Sequence, residues 1–248
     1  MMATQKKYDF IFTGFGASSC ILVQEMHRKG MLVNKSILVL DPSTKKANDK
    51  TYCFWALKEA EIVNDYRSLI SHNWTKMAID DAAGQDIGPL NYFHINSLDL
   101  YEASKVLLRS YDTTFILENV RSIENDGDTY VKTDSCQYIG IAVFDSRPPE
   151  MNKIRSSDQN ILQSFVGYKV RLKNVALNKD TCTLMDFNVA QQGYTQFVYI
   201  LPYSEDSALV ELTRFGKQPI SHKEAKEVLE TYILEKYGDF EIEEVEKG

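Results

Sequence analysis

The sequence contains few of the residues that build metal sites and disulfide frameworks. Its 248 residues include four cysteines and four histidines. The cysteines lie far apart at Cys20, Cys53, Cys136 and Cys182, without a Cys-x-x-Cys pair, and the histidines show no ligand spacing. We therefore predict no metal site and no disulfide framework, and reduced thiols in the cytoplasm are the simpler interpretation.

Long apolar runs and an excess of positive charge are also missing. The apolar runs are far too short to span a bilayer, and the first residues lead into a strand-like run instead of a signal peptide. The formal net charge of −7 argues against broad binding to nucleic acid or to an anionic membrane surface. We predict a cytoplasmic protein without a nucleic-acid partner, with any membrane contact peripheral and at the inner face.

The first 42 residues have the order of a βαβ unit. Tyr8 to Thr13 is rich in aromatic and β-branched residues, which is typical of a buried strand. A glycine turn follows, then a predicted helix over Ala17 to Arg28 and a second apolar run over Ser36 to Leu40. This order predicts an α/β fold.

The glycine turn has the context of a dinucleotide-binding fingerprint, because it links a predicted strand to a predicted helix. Gly14 permits the tight turn, and Gly16 lets the backbone approach a pyrophosphate at the helix N-terminus. Ser19 stands where a third glycine is usual, but it is also small. Asp41, at the end of the second strand, is placed to bind ribose hydroxyls, which favours FAD or NAD over NADP. The cofactor-binding candidates here are Gly14, Gly16, Ser18, Ser19 and Asp41; the alternative is an ordinary βαβ turn with a solvated aspartate.

The remaining chain is predicted to add a helix, three strands, a group of four antiparallel strands and a last helix. The four strands are interpreted as a meander that forms a substrate platform. We predict a dinucleotide-binding part over residues 1–150 and a substrate part over residues 151–248, interleaved with the first. The predicted helices cover 99–110 and 222–236, and the predicted strands cover 115–123, 130–133, 138–144, 164–172, 183–189, 196–201 and 208–215.

Several segments, in order from residue 9 to residue 215, resemble the bacterial lycopene β-cyclases. The resemblance implies an FAD/NAD(P)-binding Rossmann-like layer combined with an antiparallel substrate sheet, as in glutathione-reductase-like or hydroxylase-like flavoproteins. The similar segments are the glycine turn with Leu40-Asp41-Pro42, the stretch from Asn48 to Trp55, Asp145-Ser146-Arg147-Pro148-Pro149, Gln163 to Gly167, Met185-Asp186-Phe187 before Phe197 to Pro202, and Ala208 to Phe215.

The sequence departs from this family in two ways. The family's acidic motif usually carries two adjacent carboxylates before a threonine, whereas Glu211 is followed here by Leu212 and Thr213. The family's chains also run further and include a second flavin-contacting Gly-Asp segment, so the sequence is interpreted as lacking the family's C-terminal portion. The second departure puts flavin binding by these residues in doubt.

The resemblance implies an isomerisation in which a proton adds to the end of lycopene or a related apolar polyene, a ring closes, and a proton is lost. It implies reduced FAD, with NAD(P)H as the candidate reductant, and no net redox change. Glu211 is the implied general acid. On a strand it would share a face with Leu209 and Thr213, and partial desolvation would raise the pKa of its carboxyl. The alternative is a surface charge or a partner of a nearby arginine.

Further candidate residues have both functional and structural interpretations. Asp145 and Arg147 are candidates for holding the flavin, or for a local salt bridge. Gln163 could contact flavin or begin a strand, and Asp186 could support the acid or pair with a basic side chain on an adjacent strand. Trp55 and its aromatic neighbours could line a polyene tunnel or simply pack in a core.

Two other functions fit the same pattern. One is a flavin-dependent oxidoreductase or hydroxylase that acts on another apolar substrate. The other is a truncated paralogue that binds a carotenoid without turnover. Consumption of NAD(P)H in step with product would favour the first, and retention of a coloured polyene without flavin would favour the second.

Overall fold

The structure, a computed structural model, describes residues 6–148 and 161–248. The chain forms two compact units, and each is built from two separate stretches of sequence. The first unit comprises residues 1–52 and 96–153, and the second comprises residues 53–95 and 154–248. Pro149 of the Asp145–Pro149 motif lies outside the described residues.

The first unit is a parallel sheet extended by an antiparallel hairpin. The sheet order is β8-β2-β1-β11-β10-β9, in which β8, β2, β1 and β11 run parallel. β10 and β9 complete the sheet in antiparallel orientation. The elements of this unit are β1 (Lys6–Thr13), α1 (Ala17–Arg28), β2 (Ser36–Leu40), α3 (Ser97–Leu108), β8 (Asp112–Ile116), β9 (Val120–Asp126), β10 (Asp128–Thr133) and β11 (Gln137–Asp145).

The central strands of this sheet are apolar because helices and loops cover them. Ile11 and Phe12 of β1 and Ile37 and Leu38 of β2 are completely buried. Near-continuous apolar runs are typical of parallel strands that are buried on both faces. The predicted helix over Ala17 to Arg28 is confirmed residue for residue, and Gly30 follows its end with a positive φ of 67°.

The second unit carries a seven-stranded sheet in the order β16-β12-β15-β14-β13-β5-β6 and a three-stranded sheet in the order β3-β7-β4. Its strands are β3 (Thr51–Leu57, which begins in the first unit), β4 (Ile70–Trp74), β5 (Lys76–Ile79), β6 (Gln85–Asp86), β7 (Leu90–Asn96), β12 (Leu162–Leu172), β13 (Thr181–Asp186), β14 (Thr195–Pro202), β15 (Ser207–Gly216) and β16 (Phe240–Lys247). Its helices are α2 (Glu61–Asp65) and α4 (His222–Tyr237).

The four strands predicted as a meander are present, but their pairing differs from the prediction. β13, β14 and β15 are sequential antiparallel neighbours, whereas β12 pairs with β15 instead of β13. The free edge of β13 is taken by β5, which runs parallel to it. Turn residues show where strands end, but the choice of partner depends on distant segments such as β5.

Helix α4 covers one face of the large sheet. Ser221 caps it with a complete capping box to Glu224. Leu229 and Ile233 are fully buried against Val210 and Leu212 of β15. This apolar layer fixes which side chains of β15 face the helix and which face the opposite side.

Residues 53–95 lie within the range predicted for the dinucleotide-binding part, yet they cluster with the second unit. Their strands complete the three-stranded sheet and one edge of the large sheet. Their sequence shows little apolar periodicity, because several strand positions are half-exposed polar residues. In the two described stretches, no helix is long and apolar enough to cross a membrane.

Candidate functional site

The glycine turn between β1 and α1 is held tightly in the first unit. Gly14 has a φ of 92°, and its N–H donates to the carbonyl of Leu40 at 2.8 Å. A Cβ at this position would lie 2.6 Å from Oγ of Ser146. Glycine is therefore required here both by the backbone conformation and by the close approach of β11's end.

Asp41 is buried beside this turn, with 8% of its surface exposed. One carboxylate oxygen accepts from the N–H of Phe15 at 2.7 Å, and the other accepts from the N–H of Ser43 at 2.7 Å. Lys45 lies 3.8 Å away, with a positive φ of 51°. Asp41 therefore fixes the geometry of the turn from the end of β2.

Ser19 and Ser146 join the turn to the end of β11. The hydroxyl of Ser19 donates to the carbonyl of Gly14 at 2.7 Å and lies 3.0 Å from that of Ser146. The backbone N–H of Ser146 donates to the carbonyl of Thr13. Ser19 thus takes the place of the third glycine by closing the turn with its side chain. Ser18, the neighbouring residue on α1, is exposed.

Asp145 and Arg147 form a two-pronged ion pair at the end of β11. Nε and Nη2 of Arg147 donate to the two carboxylate oxygens at 2.8 and 2.9 Å, and Nη1 donates to the carbonyl of Val120. Hydrogen bonds from Arg147 and, to a smaller extent, from Thr13 lower the pKa of Asp145 to about 2, although burial acts in the opposite direction. Asp145 and Arg147 therefore form the local salt bridge that was one of the two interpretations of this motif. Arg147 also borders the adjoining cavity.

A cavity of about 680 Å³ opens over the turn, between the ends of β1, β2 and β11. Gly14, Gly16, Asp41, Ser146 and Arg147 are among its lining residues. A smaller cavity of about 310 Å³ lies on the other side of Asp41, with an apolar wall and a basic rim. Its lining includes Phe15, Val39, Phe115, Ile116, Lys45, Lys46, Lys105 and Arg109. Neither the place of Ser146 at the turn nor this basic rim is predictable from the sequence, because only the fold brings these residues together.

The N-terminus of α1 is suited to an anion. Gly16 at the N-cap makes no side-chain capping bond, and the first turn of the helix has no acidic residue. A Cβ at Gly16 would meet nothing within 4 Å, so its backbone borders open space. A helix N-terminus whose N-cap residue provides no side-chain cap, next to a cavity, fits a dinucleotide pyrophosphate.

The predicted acid lies in the second unit, on β15. Thr213 is buried and its hydroxyl donates to Oε1 of Glu211 at 2.9 Å. Glu211 pairs across the sheet with Tyr199 on one side and with Gly167 on the other. It shares its face with Leu209, which packs in a cluster with Trp74 and Cys182. The carboxyl therefore sits half-buried on the sheet face away from α4.

Leu212, which replaces the family's second carboxylate, points to the opposite face. It is completely buried in the layer under α4. Adjacent residues on a strand point to opposite faces, so position 212 cannot share the surroundings of Glu211. Leucine at position 212, in place of a carboxylate, therefore adds an apolar contact to the core and removes no group from the face that carries Glu211.

Two tyrosines and a thiol lie on the face of Glu211. The hydroxyl of Tyr199 donates to that of Tyr92 at 2.7 Å, and Trp55 stacks on Tyr92 with ring centroids 4.4 Å apart. Burial, with smaller effects of neighbouring groups, raises the pKa of Cys53 to about 12. Trp55 is 43% exposed, so it is an accessible aromatic surface instead of a core side chain.

The other aromatic and polar candidates are placed elsewhere. Tyr52 bonds Tyr101 in the first unit, while Phe54 stacks on Phe93 in the second. Gln163 is exposed at the start of β12. Asp186 is buried on the α4 side, where Lys236 of α4 and Tyr232 bind it. Asp186 therefore pairs with a basic side chain, as one of the two interpretations predicted, but this side chain belongs to a helix and not to an adjacent strand.

Comparison with known proteins decides the family. Residues 9–248 match the family described as lycopene cyclase protein. The chain belongs to the lycopene cyclase family. The predicted resemblance is thereby confirmed over almost the whole sequence, although a search of curated proteins finds no significant match.

Solved structures with low sequence identity share the fold of this lycopene cyclase family member. A geranylgeranyl bacteriochlorophyll reductase-like protein from Thermoplasma acidophilum is 13% identical with a TM-score of 0.65, covering 98% of this chain and 66% of that one. The anhydrotetracycline hydroxylase OxyS from Streptomyces rimosus is 12% identical with a TM-score of 0.63, covering 97% and 52%. The halogenase PltM, solved with phloroglucinol and FAD, is 11% identical with a TM-score of 0.59, covering 97% and 60%.

These similarities establish the fold class. The mixed α/β architecture with a parallel nucleotide-binding-type sheet and an antiparallel sheet is the one predicted from the sequence. The chain spans between about half and two thirds of the length of the three structures. Within the described residues, no cluster of three acidic, histidine or cysteine side chains could hold a metal ion.

Proposed function

We propose that the first unit binds FAD at the glycine turn. The uncapped N-terminus of α1 over the larger cavity supports this proposal. Gly14 and Gly16 would let the pyrophosphate approach the backbone, and Asp41 would accept from a ribose hydroxyl with its remaining lone pairs. The smaller cavity, with its apolar wall, would take the adenine ring. The PltM structure, which holds FAD in the same fold, is consistent with this assignment.

We further propose that the second unit carries out an acid-initiated cyclisation of lycopene or a related apolar polyene. The half-buried Glu211 carboxyl beside Thr213, on a face lined by aromatic and apolar side chains, is the observation that supports it. A carboxyl on such a face is placed to act as a general acid toward an apolar substrate. Membership of the lycopene cyclase family supports the same substrate class.

The chain's own residues would act in four ways. Glu211 would deliver its proton to the terminal double bond, and Thr213 would hold the carboxyl in position. The apolar face around Leu209 would exclude water, which would otherwise trap a carbocation. The accessible ring of Trp55 could stabilise positive charge through its π face. Reduced FAD, when bound, would supply electrostatic stabilisation of positive charge.

The deciding experiment has two parts. The purified chain should take up FAD, with a flavin spectrum that dithionite bleaches, and should then convert lycopene into a ring product of unchanged mass. Consumption of NAD(P)H in step with product would instead indicate a flavin-dependent oxidoreductase or hydroxylase. A chain that takes up polyene but neither binds flavin nor forms a ring would contradict the catalytic assignment and favour a binding protein.

The glycine turn gives a prediction with a matched control. We expect Gly14→Ala to weaken FAD binding at least about tenfold, because a Cβ would collide with Ser146 and strain the turn beneath the pyrophosphate. Gly30→Ala has a similar positive φ of 67° but open space around it. It should lower stability by about 1 kcal/mol without changing FAD affinity in a fluorescence titration. Equal flavin affinity in both variants would contradict the proposed site.

A further inference from the structure

We propose that Glu246 on β16 is the proton acceptor that completes the cyclisation begun by Glu211. This inference rests on the proposed function and adds a second carboxylate to the same sheet face. The family's second carboxylate position is occupied by Leu212, which faces the core under α4. The acidic stretch at residues 241–248 shows no strand pattern in the sequence, so only the structure brings Glu246 to this face.

The register of three strands places the two glutamates on either side of one glycine. Gly167 of β12 pairs directly with Glu211 of β15 and with Glu246 of β16. Directly paired residues in antiparallel strands carry their side chains on the same face. The Cβ atoms of the two glutamates are therefore separated by two interstrand spacings, roughly 10 Å.

Gly167 lies directly beneath side chains of β15. A Cβ on Gly167 would lie 3.0 Å from Cδ1 of Leu209 and 3.3 Å from Cβ of Glu211. Any larger residue would thus press against the proposed acid. The two carboxyls therefore flank a glycine that Leu209 and Glu211 cover, and an extended polyene end would lie over this apolar contact, between donor and acceptor.

Glu246 is less exposed than the other glutamates of its strand. Glu241, Glu243 and Glu244 are exposed. Glu246 is half-buried. Because it pairs with Gly167, as Glu211 does, Glu246 lies on the same sheet face as Glu211 and Leu209.

Two carboxyl groups match what the reaction requires. Glu211 gives its proton to one carbon of the terminal double bond, and the neighbouring carbon becomes cationic. A second double bond attacks that carbon, the new ring bond forms, and the positive charge moves into the ring. Glu246 then accepts a proton from a carbon beside this charge, and the C–H electrons form the ring double bond. The substrate gains one proton and loses one, so the product is an isomer.

The test uses the full chain loaded with reduced FAD, with lycopene as substrate, in D₂O. We expect Glu246→Gln to lower the rate of ring formation at least about 100-fold. Because Glu211 can still protonate the polyene reversibly, the recovered lycopene should contain deuterium by mass spectrometry. Glu211→Gln should give neither ring nor deuterium. Glu246→Asp should restore part of the rate, and Glu244→Gln, the matched control on the same strand, should stay within about twofold of the wild type.

The outcomes separate this inference from the function on which it rests. Ring formation by Glu246→Gln at the wild-type rate would overturn the role of Glu246 and leave the cyclase proposal intact. Loss of ring formation without deuterium in the recovered lycopene would also overturn it, since Glu246 would then be needed before proton transfer. A wild-type chain that forms no ring and introduces no deuterium would overturn the proposed cyclisation itself, and this inference with it.

Discussion

Replacing Glu211 by glutamine should reduce ring formation by at least about 1,000-fold while the chain keeps its fold and its affinity for FAD. Glutamine has nearly the same volume and can still accept the hydrogen bond from Thr213. It cannot deliver a proton, however, and general acid catalysis contributes roughly 10²- to 10⁴-fold to such reactions. Product formation from lycopene, measured by absorbance after chromatography, checks the prediction.

Two further variants make this result interpretable. Glu211→Asp keeps an acid but withdraws it from the reacting carbon, so it should retain a small part of the activity. Glu227→Gln, on the exposed side of α4, should behave like the wild type. If Glu211→Gln cyclised lycopene within tenfold of the wild-type rate, another group would have to be the acid.

The second large effect concerns stability. We expect Lys236→Met to lower the free energy of unfolding by about 3 kcal/mol, because it leaves the buried carboxylate of Asp186 without its cation. Lys236 lies 2.5 Å from Asp186 and 2.6 Å from Asp81. Asp186 is completely buried and is also bound by Tyr232. Urea unfolding followed by circular dichroism measures the difference.

The pH dependence of this effect has a definite sign. Burial raises the pKa of Asp186, but hydrogen bonds from Lys236 and Tyr232 outweigh it, and the pKa falls below the ordinary value of 3.8. The stabilisation is therefore complete above that value and is lost as the pH falls through the lower pKa of the folded state. The difference between Lys236→Met and the wild type should shrink below about pH 4.

Lys226, an exposed lysine of α4, provides a matched control. Lys226 pairs with Glu230 at 3.8 Å and its side chain is 54% exposed. Lys226→Met should therefore change stability by less than about 0.5 kcal/mol. Equal destabilisation by both substitutions would mean that the ion pair with Asp186 contributes nothing beyond a surface contact.

Local patterns in the sequence were sufficient for the βαβ unit and, in the C-terminal half, for β12 to β15 and α4. The run from Tyr8 to Thr13 is rich in aromatic and β-branched residues, and the helix from Ala17 to Arg28 has an apolar face, so both elements are recognisable from the sequence. The glycine turn with Asp41 was recognisable because its spacing is set by the geometry of adjacent strands.

Other features depend on contacts between distant residues, which the sequence does not display. β16 is acidic and mostly exposed, so it lacks the apolar alternation that predicts a strand, and it forms because β12 offers a free edge. The opposite directions of Glu211 and Leu212 follow from strand alternation, but only the packing of α4 shows which face is the core. Glu246 was missed for the same reason as β16.

The pairing of β1 with β11 has a consequence for synthesis of the chain. Tyr8 lies beside Gly140 and Thr13 beside Asp145, so the centre of the first sheet joins segments more than 130 residues apart. A ribosome at about 5–20 residues per second needs several seconds or more to supply the second partner. Until then, one edge of β1 is unpaired and its apolar side chains are without cover on that side. We expect the nascent N-terminal half to bind chaperones and to resist proteases poorly until β11 has emerged.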